Sequence, residues 1–315
     1  MTKYIFPSVY DYSDFMLSEL EKDSSIKILE IKPMSIFMKF LWLIKTKSRL
    51  GKNKLFSHFF FNIFYSNVNF DNSICIVFDS FIFFNDPCFY TWITKKYRNV
   101  ERVSIIYNVI GQNKDRITFV KKHFDQVYCF DPIDAEKYGF FHFWGIYSKQ
   151  QYNKVFNLFD VSFVGLDKGR LDTIQEISAY LKNNDVVFKN IVISDRIDYT
   201  QDSGLVVSSY RVSYRESLEI LLHSNSILEV VPDIQTGLSL RTIEAIIYGK
   251  KLVTNNKYLL QSPFFNKENM IIFDNINDID IGFIKSHKQI DYAYKNDFSP
   301  TELIKRIESK ARKNI

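Results

Sequence analysis

The stretch Gln235-Thr-Gly-Leu-Ser-Leu-Arg-Thr-Ile-Glu-Ala-Ile-Ile-Tyr-Gly249-Lys-Lys-Leu-Val-Thr-Asn255 decides the fold, because it combines a loop, a helix, a turn and a strand. Gly237 permits a tight backbone turn, and Ser239 can cap the helix that follows. Gly249 can end that helix, and the next residues have the apolar character of a short buried strand. The apolar positions of the helix recur at helical spacing: Leu240, Ile243, Ile246 and Ile247.

The start of this helix is a candidate anion site. Unpaired backbone N–H groups and the positive end of the helix dipole face outward where a helix follows a glycine loop, which suits a phosphate or diphosphate. Glu244 lies about one and a half turns into the helix, where an ionised carboxylate can accept hydrogen bonds from two ribose hydroxyls. An isolated Glu on a helix is also commonly solvated. Taken alone, this helix leaves both interpretations open.

The whole chain repeats the same alternation of strands and helices. Such alternation predicts parallel sheets with helices on both faces, hence an α/β fold of doubly wound units. The predicted strands are Ile26–Ile31, Ser73–Phe78, Val103–Tyr107 and Gln126–Phe130 in the first half, then Asp160–Gly165, Val186–Ile193, Ser226–Val231, Lys251–Asn255 and Asn269–Asp274. The second series is interleaved with helices at Leu171–Leu181 and Tyr214–His223.

The length of 315 residues favours two lobes over one. The polar stretch Tyr147–Lys154 suits an interdomain hinge, so we expect a first lobe at 1–152 and a second at 153–315. Helical spacing over Pro300–Lys313 predicts a terminal helix, which we assign to the second lobe. The pattern does not indicate whether this helix packs across the first lobe or lies at the surface.

The charge distribution is uneven. No acidic residue lies between Glu30 and Asp71, and the basic residues there alternate with aromatic ones, which favours contact with anionic lipid headgroups. A solvated basic face on an ordinary helix is the alternative. Nucleic acid is not expected as a partner, because no nucleic-acid module pattern accompanies this basic aromatic region. Its basic residues are Lys32, Lys39, Lys45, Lys47, Arg49, Lys52 and Lys54, interleaved with Phe37, Phe40, Trp42 and Phe56.

Targeting and redox signals point to the cytoplasm. The N-terminus lacks a basic start followed by an apolar run, so no export is predicted. The apolar segments fall short of the ~20 residues that span a bilayer. Cys75, Cys88 and Cys129 have no metal-ligand spacing, which indicates reduced thiols and neither zinc nor disulfides. We therefore expect a cytoplasmic protein, peripheral at the inner face of the cytoplasmic membrane.

A second glycine-containing turn follows the strand Asp160–Gly165. Ends of strands that enter helices form the ligand crevice of an open parallel sheet. Gly165 and Gly169 allow close approach of a ligand, and Lys168 and Arg170 offer cations to a diphosphate, although a plain basic turn has the same composition. Two such turns on one sheet edge favour a ligand.

These residues carry a resemblance to the GT-B class of nucleotide-sugar glycosyltransferases. More closely, the chain resembles bacterial glycosyltransferases of lipopolysaccharide and capsular polysaccharide synthesis, including O-antigen enzymes. The resemblance covers 160–274 and the first lobe only by general pattern. It rests on Asp160-Val-Ser-Phe-Val-Gly-Leu-Asp-Lys-Gly-Arg170, Gln235-Thr-Gly-Leu-Ser-Leu-Arg-Thr-Ile-Glu244, Lys250-Lys-Leu-Val-Thr-Asn255 and Phe264-Phe-Asn-Lys-Glu-Asn-Met-Ile-Ile-Phe-Asp274.

The resemblance implies two lobes that face a central cleft and a donor site on the second lobe. Glu244 would bind the ribose, and the segment Thr236, Gly237, Leu238, Ser239 would lie at the diphosphate, with Lys168, Arg170 and Arg241 neutralising its charge. In the retaining class with this fold a second Glu lies eight residues before the ribose Glu, where this chain has Thr236. The stereochemical outcome therefore stays open between inverting and retaining.

An inverting enzyme also needs a general base on the first lobe. Asp86 and Asp131 each follow a strand-like run and precede a proline, so both are candidates, although such residues are also typical helix caps. The string Asp278-Ile-Asp280 has the form of a metal-binding pair, but it lies beyond the last strands, and we interpret it as a helix start or a loop pair. No metal and no cofactor are expected beyond the donor substrate itself.

The sequence thus predicts a metal-independent glycosyltransferase that moves a sugar from a nucleotide diphosphate sugar to a lipid-linked or cell-surface glycan. A nucleotide-sugar 2-epimerase of the same fold and a non-catalytic nucleotide-sugar-binding protein are the alternatives.

Overall fold

The computed structural model describes residues 3–9, 13–30, 35–111, 113–152, 156–196, 203–288 and 290–311. The chain forms two compact units, one of residues 1–143 with 303–315 and one of residues 144–302. Each unit contains a six-stranded sheet in which all neighbouring strands are parallel. The predicted fold class, α/β with two doubly wound lobes, is confirmed.

The sheet of the first unit has the strand order β2-β1-β3-β4-β5-β6. Its strands are β1 (Lys3–Val9), β2 (Ile26–Glu30), β3 (Ser73–Phe78), β4 (Glu101–Ile106), β5 (Gln126–Cys129) and β6 (Phe141–His142). The sequence pattern predicts neither β1 nor β6. Pro7 lies inside β1 and lacks a backbone N–H, which argues against an inner strand; the pairing of β1 with β2 shifts register between Phe6 and Val9. β6 is too short to show a period.

Helices connect these strands and build an aromatic core. Phe60, Phe61 and Trp92 are fully buried in this core. The helices are α1 (Ser13–Leu17), α2 (Ile36–Lys47), α3 (Lys54–Phe64), α4 (Pro87–Lys96), α5 (Lys114–His123) and α6 (Pro132–Tyr138).

The sheet of the second unit has the order β12-β11-β10-β7-β8-β9. Its strands are β7 (Phe159–Leu166), β8 (Phe188–Ile193), β9 (Val206–Ser208), β10 (Ser224–Glu229), β11 (Lys251–Thr254) and β12 (Met270–Ile272), and its helices are α7 (Leu171–Asn183), α8 (Tyr214–Leu222), α9 (Leu240–Tyr248) and α10 (Ile281–Lys285). The carboxyl ends of β7 and β10, at the centre of this sheet, lead to the predicted ligand turns.

The last helix, α11 (Pro300–Ala311), begins in the second unit and continues in the first. Tyr4 Oη donates to Glu308 Oε1, Gln126 Nε2 donates to Ile307 O over 3.3 Å, and Ile307 is fully buried. The structure thus joins most of this helix to the first unit, whereas the sequence analysis placed it in 153–315. An amphipathic pattern specifies that a helix has an apolar face but does not specify what covers it.

The second unit begins at Trp144, before the boundary expected after residue 152. Of the predicted hinge Tyr147–Lys154, residues 153 and 154 lie outside the described residues.

Candidate functional site

A cluster of basic side chains lies at the carboxyl end of β7. The ring of Phe163, which is fully buried, has the guanidinium groups of Arg170 and Arg241 each 5.1 Å from its centroid. A Cβ at Gly165 would come within 3.1 Å of Nη2 of both arginines, so the missing side chain of Gly165 makes room for them. The structure therefore brings together Gly165, Arg170 and Arg241, which the sequence analysis took from two separate turns.

Asp167 shapes the turn that presents Arg170. Its Oδ1 accepts hydrogen bonds from the backbone N–H groups of Gly169, Arg170 and Leu171 at 3.0–3.1 Å. Lys168 and Gly169 take the left-handed backbone conformation that the tight turn requires, with φ of +47° and +80°. Burial would raise the pKa of Asp167, but hydrogen bonds from Ser194 Oγ and these N–H groups outweigh it and lower the pKa. The sequence analysis gave Asp167 no role.

The two arginines differ in how well their donors are satisfied. Arg170 donates to the carbonyl of Leu166 through Nε (3.2 Å) and Nη2 (3.0 Å) and to the carbonyl of Val230 through Nη1. Arg241 Nε is buried and has no hydrogen-bond acceptor among the described residues. A buried guanidinium N–H without an acceptor is costly.

The charges of the cluster repel one another. Burial, followed by the charge of Arg241, lowers the pKa of Arg170 to about 10. Burial and then the charges of Arg170 and Arg241 lower the pKa of Lys168. Each of these shifts records a cost of holding positive charge here, and that cost would fall on binding an anion.

Helix α9 begins beside this cluster as predicted. Ser239 is its N-cap and accepts from the N–H of Arg241 at 3.1 Å, and Gly249 ends it in the left-handed conformation. In the preceding loop, Thr236 and Leu238 are buried, and the carbonyl of Gly237 accepts from Asn256 Nδ2 at 3.3 Å. Burial of these two side chains and the hydrogen bond from Asn256 therefore fix the loop.

Glu229, at the end of β10, is a buried carboxylate that the sequence analysis did not single out. Its Oε1 accepts from Ser239 Oγ and from Thr242 Oγ1 (2.7 Å), and its Oε2 accepts from Thr254 Oγ1. These three hydroxyls belong to the cap of α9, to α9 itself and to the end of β11. Glu229 thus anchors the N-terminus of α9 to two strand ends. The sequence signal that could have identified Glu229 is the presence of a charged residue inside the otherwise apolar run Ser226–Val231.

Glu244, the predicted ribose ligand, is only 2% exposed. Its Oε1 accepts a hydrogen bond from Tyr214 Oη. Burial raises the pKa of Glu244 to about 7, against the opposing effects of Arg241 and the hydrogen bond from Tyr214. The solvated surface position, one of the two interpretations that the sequence left open, is therefore wrong, and the role of Glu244 as a ribose ligand stays a prediction.

The two candidate bases, Asp86 and Asp131, are helix N-caps in the first unit. Asp86 caps α4 and accepts from the N–H of Cys88 at 2.9 Å, and it also pairs with the buried ammonium of Lys45 at 2.5 Å. Asp131 caps α6, accepts from the N–H of Asp134 at 3.1 Å and is 2% exposed. The capping that their positions before proline indicated is confirmed, and their role as bases stays a prediction.

The Asp278–Asp280 string also serves helix ends. Asp278 accepts from the N–H groups of Asp274 and Asn275, and Asp280 is the N-cap of α10. The interpretation of this string as a helix start is confirmed. Within the described part of the chain, no group of three or more His, Cys, Asp or Glu residues is placed to hold a metal ion.

Three solved structures similar to this chain are two glycosyltransferases and a glycosylation-associated protein complex. The glycotransferase of kitacinnamycin aligns with a TM-score of 0.50 and 8% identity, covering 98% of this chain and 99% of that one. The spinosyn rhamnosyltransferase SpnG, complexed with thymidine diphosphate, aligns with a TM-score of 0.45 and 9% identity, covering 98% and 100%. The Glycosylation Associate Protein (Gap123) complex from Streptococcus agalactiae aligns with a TM-score of 0.48 and 13% identity, covering 81% of this chain; the chain spans 57% of the chain that it matches there.

The match to the kitacinnamycin glycotransferase extends over nearly the whole of both chains and shows a shared fold. The predicted GT-B architecture is confirmed at that level. The sequence matches no protein-family model and no curated protein.

Proposed function

We propose that the protein is a glycosyltransferase that binds a nucleotide diphosphate sugar on its second unit and transfers the sugar to a glycan acceptor. The observation that carries this proposal is the pair of guanidinium groups over Gly165, of which Arg241 keeps a buried Nε without an acceptor among the described residues. A diphosphate supplies negative charge beside both guanidinium groups and acceptor oxygens for the donors of Arg241.

The same groups suit the chemistry of glycosyl transfer. The bond between the anomeric carbon and the diphosphate breaks with negative charge developing on the leaving oxygen, and preorganised donors stabilise such charge. Phe163 packs against both guanidinium groups, and backbone carbonyls hold that of Arg170 in place. The N-terminus of α9 adds a favourable dipole. Lys168 contributes a third cation. In this proposal Glu244 binds the ribose, and the backbone of Thr236, Gly237, Leu238 and Ser239 faces the diphosphate.

The general base of an inverting reaction belongs, in this proposal, to the first unit. Asp86 and Asp131 are the candidates, and replacement of each by Asn tests them. Asn retains the side-chain oxygen that caps a helix, so both variants spare the cap. Asp86→Asn also removes the carboxylate partner of buried Lys45, so it is compared with the parent in a Lys45→Met background. A loss of transfer with unchanged nucleotide affinity identifies the base.

The acceptor is proposed to be lipid-linked or cell-surface glycan of lipopolysaccharide or capsule synthesis, met at the inner face of the cytoplasmic membrane. In support, helices α2 and α3 expose large apolar side chains next to basic ones, a combination that fits anionic headgroups over an acyl region. The exposed apolar residues are Ile36, Phe37, Phe40, Leu43, Leu55 and Phe59, and the exposed basic ones are Lys39, Lys47, Arg49, Lys52 and Lys54.

One residue of the predicted basic region is not available to lipid. Lys45 is buried, and its Nζ donates to Gly51 O (2.7 Å) and Ser57 Oγ (2.9 Å) besides pairing with Asp86. A sequence pattern of basic residues does not reveal that one of them has an interior carboxylate partner. Lys32 lies outside the described residues. No helix in the described part of the chain is long and apolar enough to cross a membrane.

A panel of nucleotide sugars tests the activity. Slow release of free nucleoside diphosphate from one of them, and transfer to a glycan acceptor, support the proposal. Conversion of the sugar without loss of nucleotide identifies an epimerase instead, and binding without turnover identifies a non-catalytic binding protein.

Flotation with vesicles tests the membrane contact. Reversal of Lys47, Arg49, Lys52 and Lys54 to Glu should abolish recovery with vesicles that contain phosphatidylglycerol. Reversal of Lys114, Lys121, Lys122 and Lys137 on α5 and α6 makes the same change in net charge and is the control; all four are exposed. Equal recovery of the two variants would refute a specific patch.

A further inference from the structure

A chain of tyrosine hydroxyls leads to the carboxylate of Glu244. Tyr214 Oη, at the start of α8, bonds to Glu244 Oε1 and lies 3.0 Å from Tyr147 Oη. Tyr147 Oη lies 3.2 Å from Tyr248 Oη, at the end of α9, and the backbone N–H of Gln150 donates to Tyr248 Oη at 3.2 Å. All these residues belong to the second unit, and Tyr147 and Gln150 lie in its first residues.

The two ends of this chain fix its direction. A backbone N–H can only donate, and an ionised carboxylate can only accept, whereas each phenol between them carries a single hydrogen. When Glu244 is ionised, Tyr214 must therefore donate to Glu244, Tyr147 to Tyr214, and Tyr248 to Tyr147. Each hydroxyl polarises the next, so the hydrogen bond that reaches Oε1 is stronger than an isolated one.

We propose that Tyr214, supported by Tyr147 and Tyr248, is a positioning residue that holds the Glu244 carboxylate oriented and ionised for the nucleotide ribose. The proposal rests on the proposed function, because it assigns Glu244 the ribose. The series of tyrosine hydroxyls occupies Oε1 of Glu244 and fixes the plane of the carboxylate, which leaves Oε2 as the ligand position.

The surroundings of Glu244 explain why it needs such support. Burial is the largest influence on its pKa and favours the neutral form. Arg241, one turn earlier on α9, and the hydrogen bond from Tyr214 favour the ionised form, and Glu229 opposes it. A neutral Glu244 would offer a ribose hydroxyl a weaker acceptor. Loss of the Tyr214 hydroxyl should therefore shift the ionisation of Glu244 to higher pH.

The experiment measures the dissociation constant of a nucleoside diphosphate by calorimetry from about pH 5.5 to about pH 8.5. The probe is whichever of UDP, CDP, GDP, ADP and TDP binds the wild type most tightly. We expect Tyr214→Phe to weaken binding at neutral pH by about tenfold or more, the scale of one hydrogen bond to a charged group, with partial recovery at high pH. Tyr248→Phe, two steps further from the carboxylate, should have a smaller effect in the same direction.

Tyr292→Phe is the matched control, because Tyr292 is also a tyrosine of the second unit whose hydroxyl donates to backbone carbonyls, Lys250 O (2.9 Å) and Asn269 O (3.2 Å). It should leave the pH profile of binding unchanged even where it lowers the melting temperature. If Tyr214→Phe does not fold, Tyr147→Phe tests the same chain one step back.

The outcomes separate the two levels of inference. A pH profile of Tyr214→Phe that coincides with the wild type, while Glu244→Ala weakens binding, overturns the positioning role alone. Unchanged affinity in Glu244→Ala overturns the ribose assignment and the positioning role together, and an absence of nucleoside diphosphate binding by the wild type overturns the proposed function as well.

Discussion

Replacement of Arg241 by Met should separate ligand binding from stability. Met keeps an apolar stem against Phe163 and removes the guanidinium. Arg241 is the member of the basic cluster whose buried Nε has no acceptor in the described part of the chain. Its charge is therefore the one that the fold itself uses least and that a bound diphosphate would use most.

The structure sets the scale of both effects. The Nη2 atoms of Arg170 and Arg241 each lie 3.1 Å from one point beside Gly165, so they are within about 6 Å of each other. Two like charges at that distance repel by about 3 kcal/mol at an effective dielectric constant of about 20. Losing this repulsion offsets the lost cation–π contact with Phe163 and the lost attraction to Glu244. We expect the free energy of unfolding to change by no more than about 1 kcal/mol.

The affinity should change much more. A hydrogen bond to a charged group contributes about 1.5–3 kcal/mol, which corresponds to a rise of about 10- to 150-fold in the dissociation constant of a nucleoside diphosphate. Arg170→Met is the contrasting variant. Arg170 makes three hydrogen bonds to the backbone carbonyls of Leu166 and Val230, so its loss should weaken binding and also destabilise the fold by about 2 kcal/mol.

Calorimetry with the nucleoside diphosphate and urea unfolding of the ligand-free protein measure the two quantities. An affinity of Arg241→Met equal to that of the wild type would refute the placement of the diphosphate at this cluster. Equal destabilisation by the two substitutions would refute the argument that the fold satisfies Arg170 and leaves Arg241 for a ligand.

Three further predictions concern buried charges. The pKa of Glu244 is about 7 in the folded protein and about 4.5 when unfolded, so its contribution to stability is full below about pH 4.5 and is lost as the pH rises through about 7. The free energy of unfolding of Glu244→Gln, measured with urea, should therefore rise by up to about 3 kcal/mol relative to that of the wild type between pH 4.5 and pH 8. Glu229→Gln should lower the free energy of unfolding by about 1–3 kcal/mol, because its amide N–H₂ group would face one of the three hydroxyls that now donate to Glu229. A melting temperature equal to that of the wild type would contradict the role of Glu229 as the anchor of α9. Lys45→Met should cost about 3 kcal/mol by leaving Asp86 without its cation, and the further change Asp86→Asn should recover part of that loss; no recovery would show that packing of Lys45, not its ion pair, is what matters.

The local parts of this fold follow from the sequence because their causes are local. Parallel strands covered on both faces consist largely of continuous apolar residues, so β3 (Ser-Ile-Cys-Ile-Val-Phe) stands out in the pattern. The start of α9 is written in the order Gly237, Ser239 and then apolar residues at helical spacing, and the end in Gly249. Strand β1 escaped because Pro7 contradicts an inner strand, and β9 because three residues carry no period.

The electrostatic parts could be predicted only in outline. The sequence indicates that Lys168, Arg170 and Arg241 are cations near two helix starts, which is enough to expect an anion site. It does not indicate that Phe163 holds two of them or that one is satisfied by carbonyls and the other is not. Likewise Lys45 has the same local context as the exposed lysines around it, and its buried contacts with Asp86, Gly51 and Ser57 separate it from them.

Glu244 shows how far the two kinds of information differ for one residue. Its position on α9 follows from local spacing, but its protonation depends on Tyr147, Tyr214 and Arg241, two of which lie far from it in the chain. Burial alone would keep it neutral at pH 7, and a neutral carboxyl is a poor acceptor for a ribose. The hydroxyl chain and Arg241 bring its pKa back to about 7, so that small changes in its surroundings, including a bound diphosphate beside Arg241, decide its charge. A diphosphate would weaken the effect of Arg241 on Glu244, which makes the hydrogen bond from Tyr214 most important when the donor is bound.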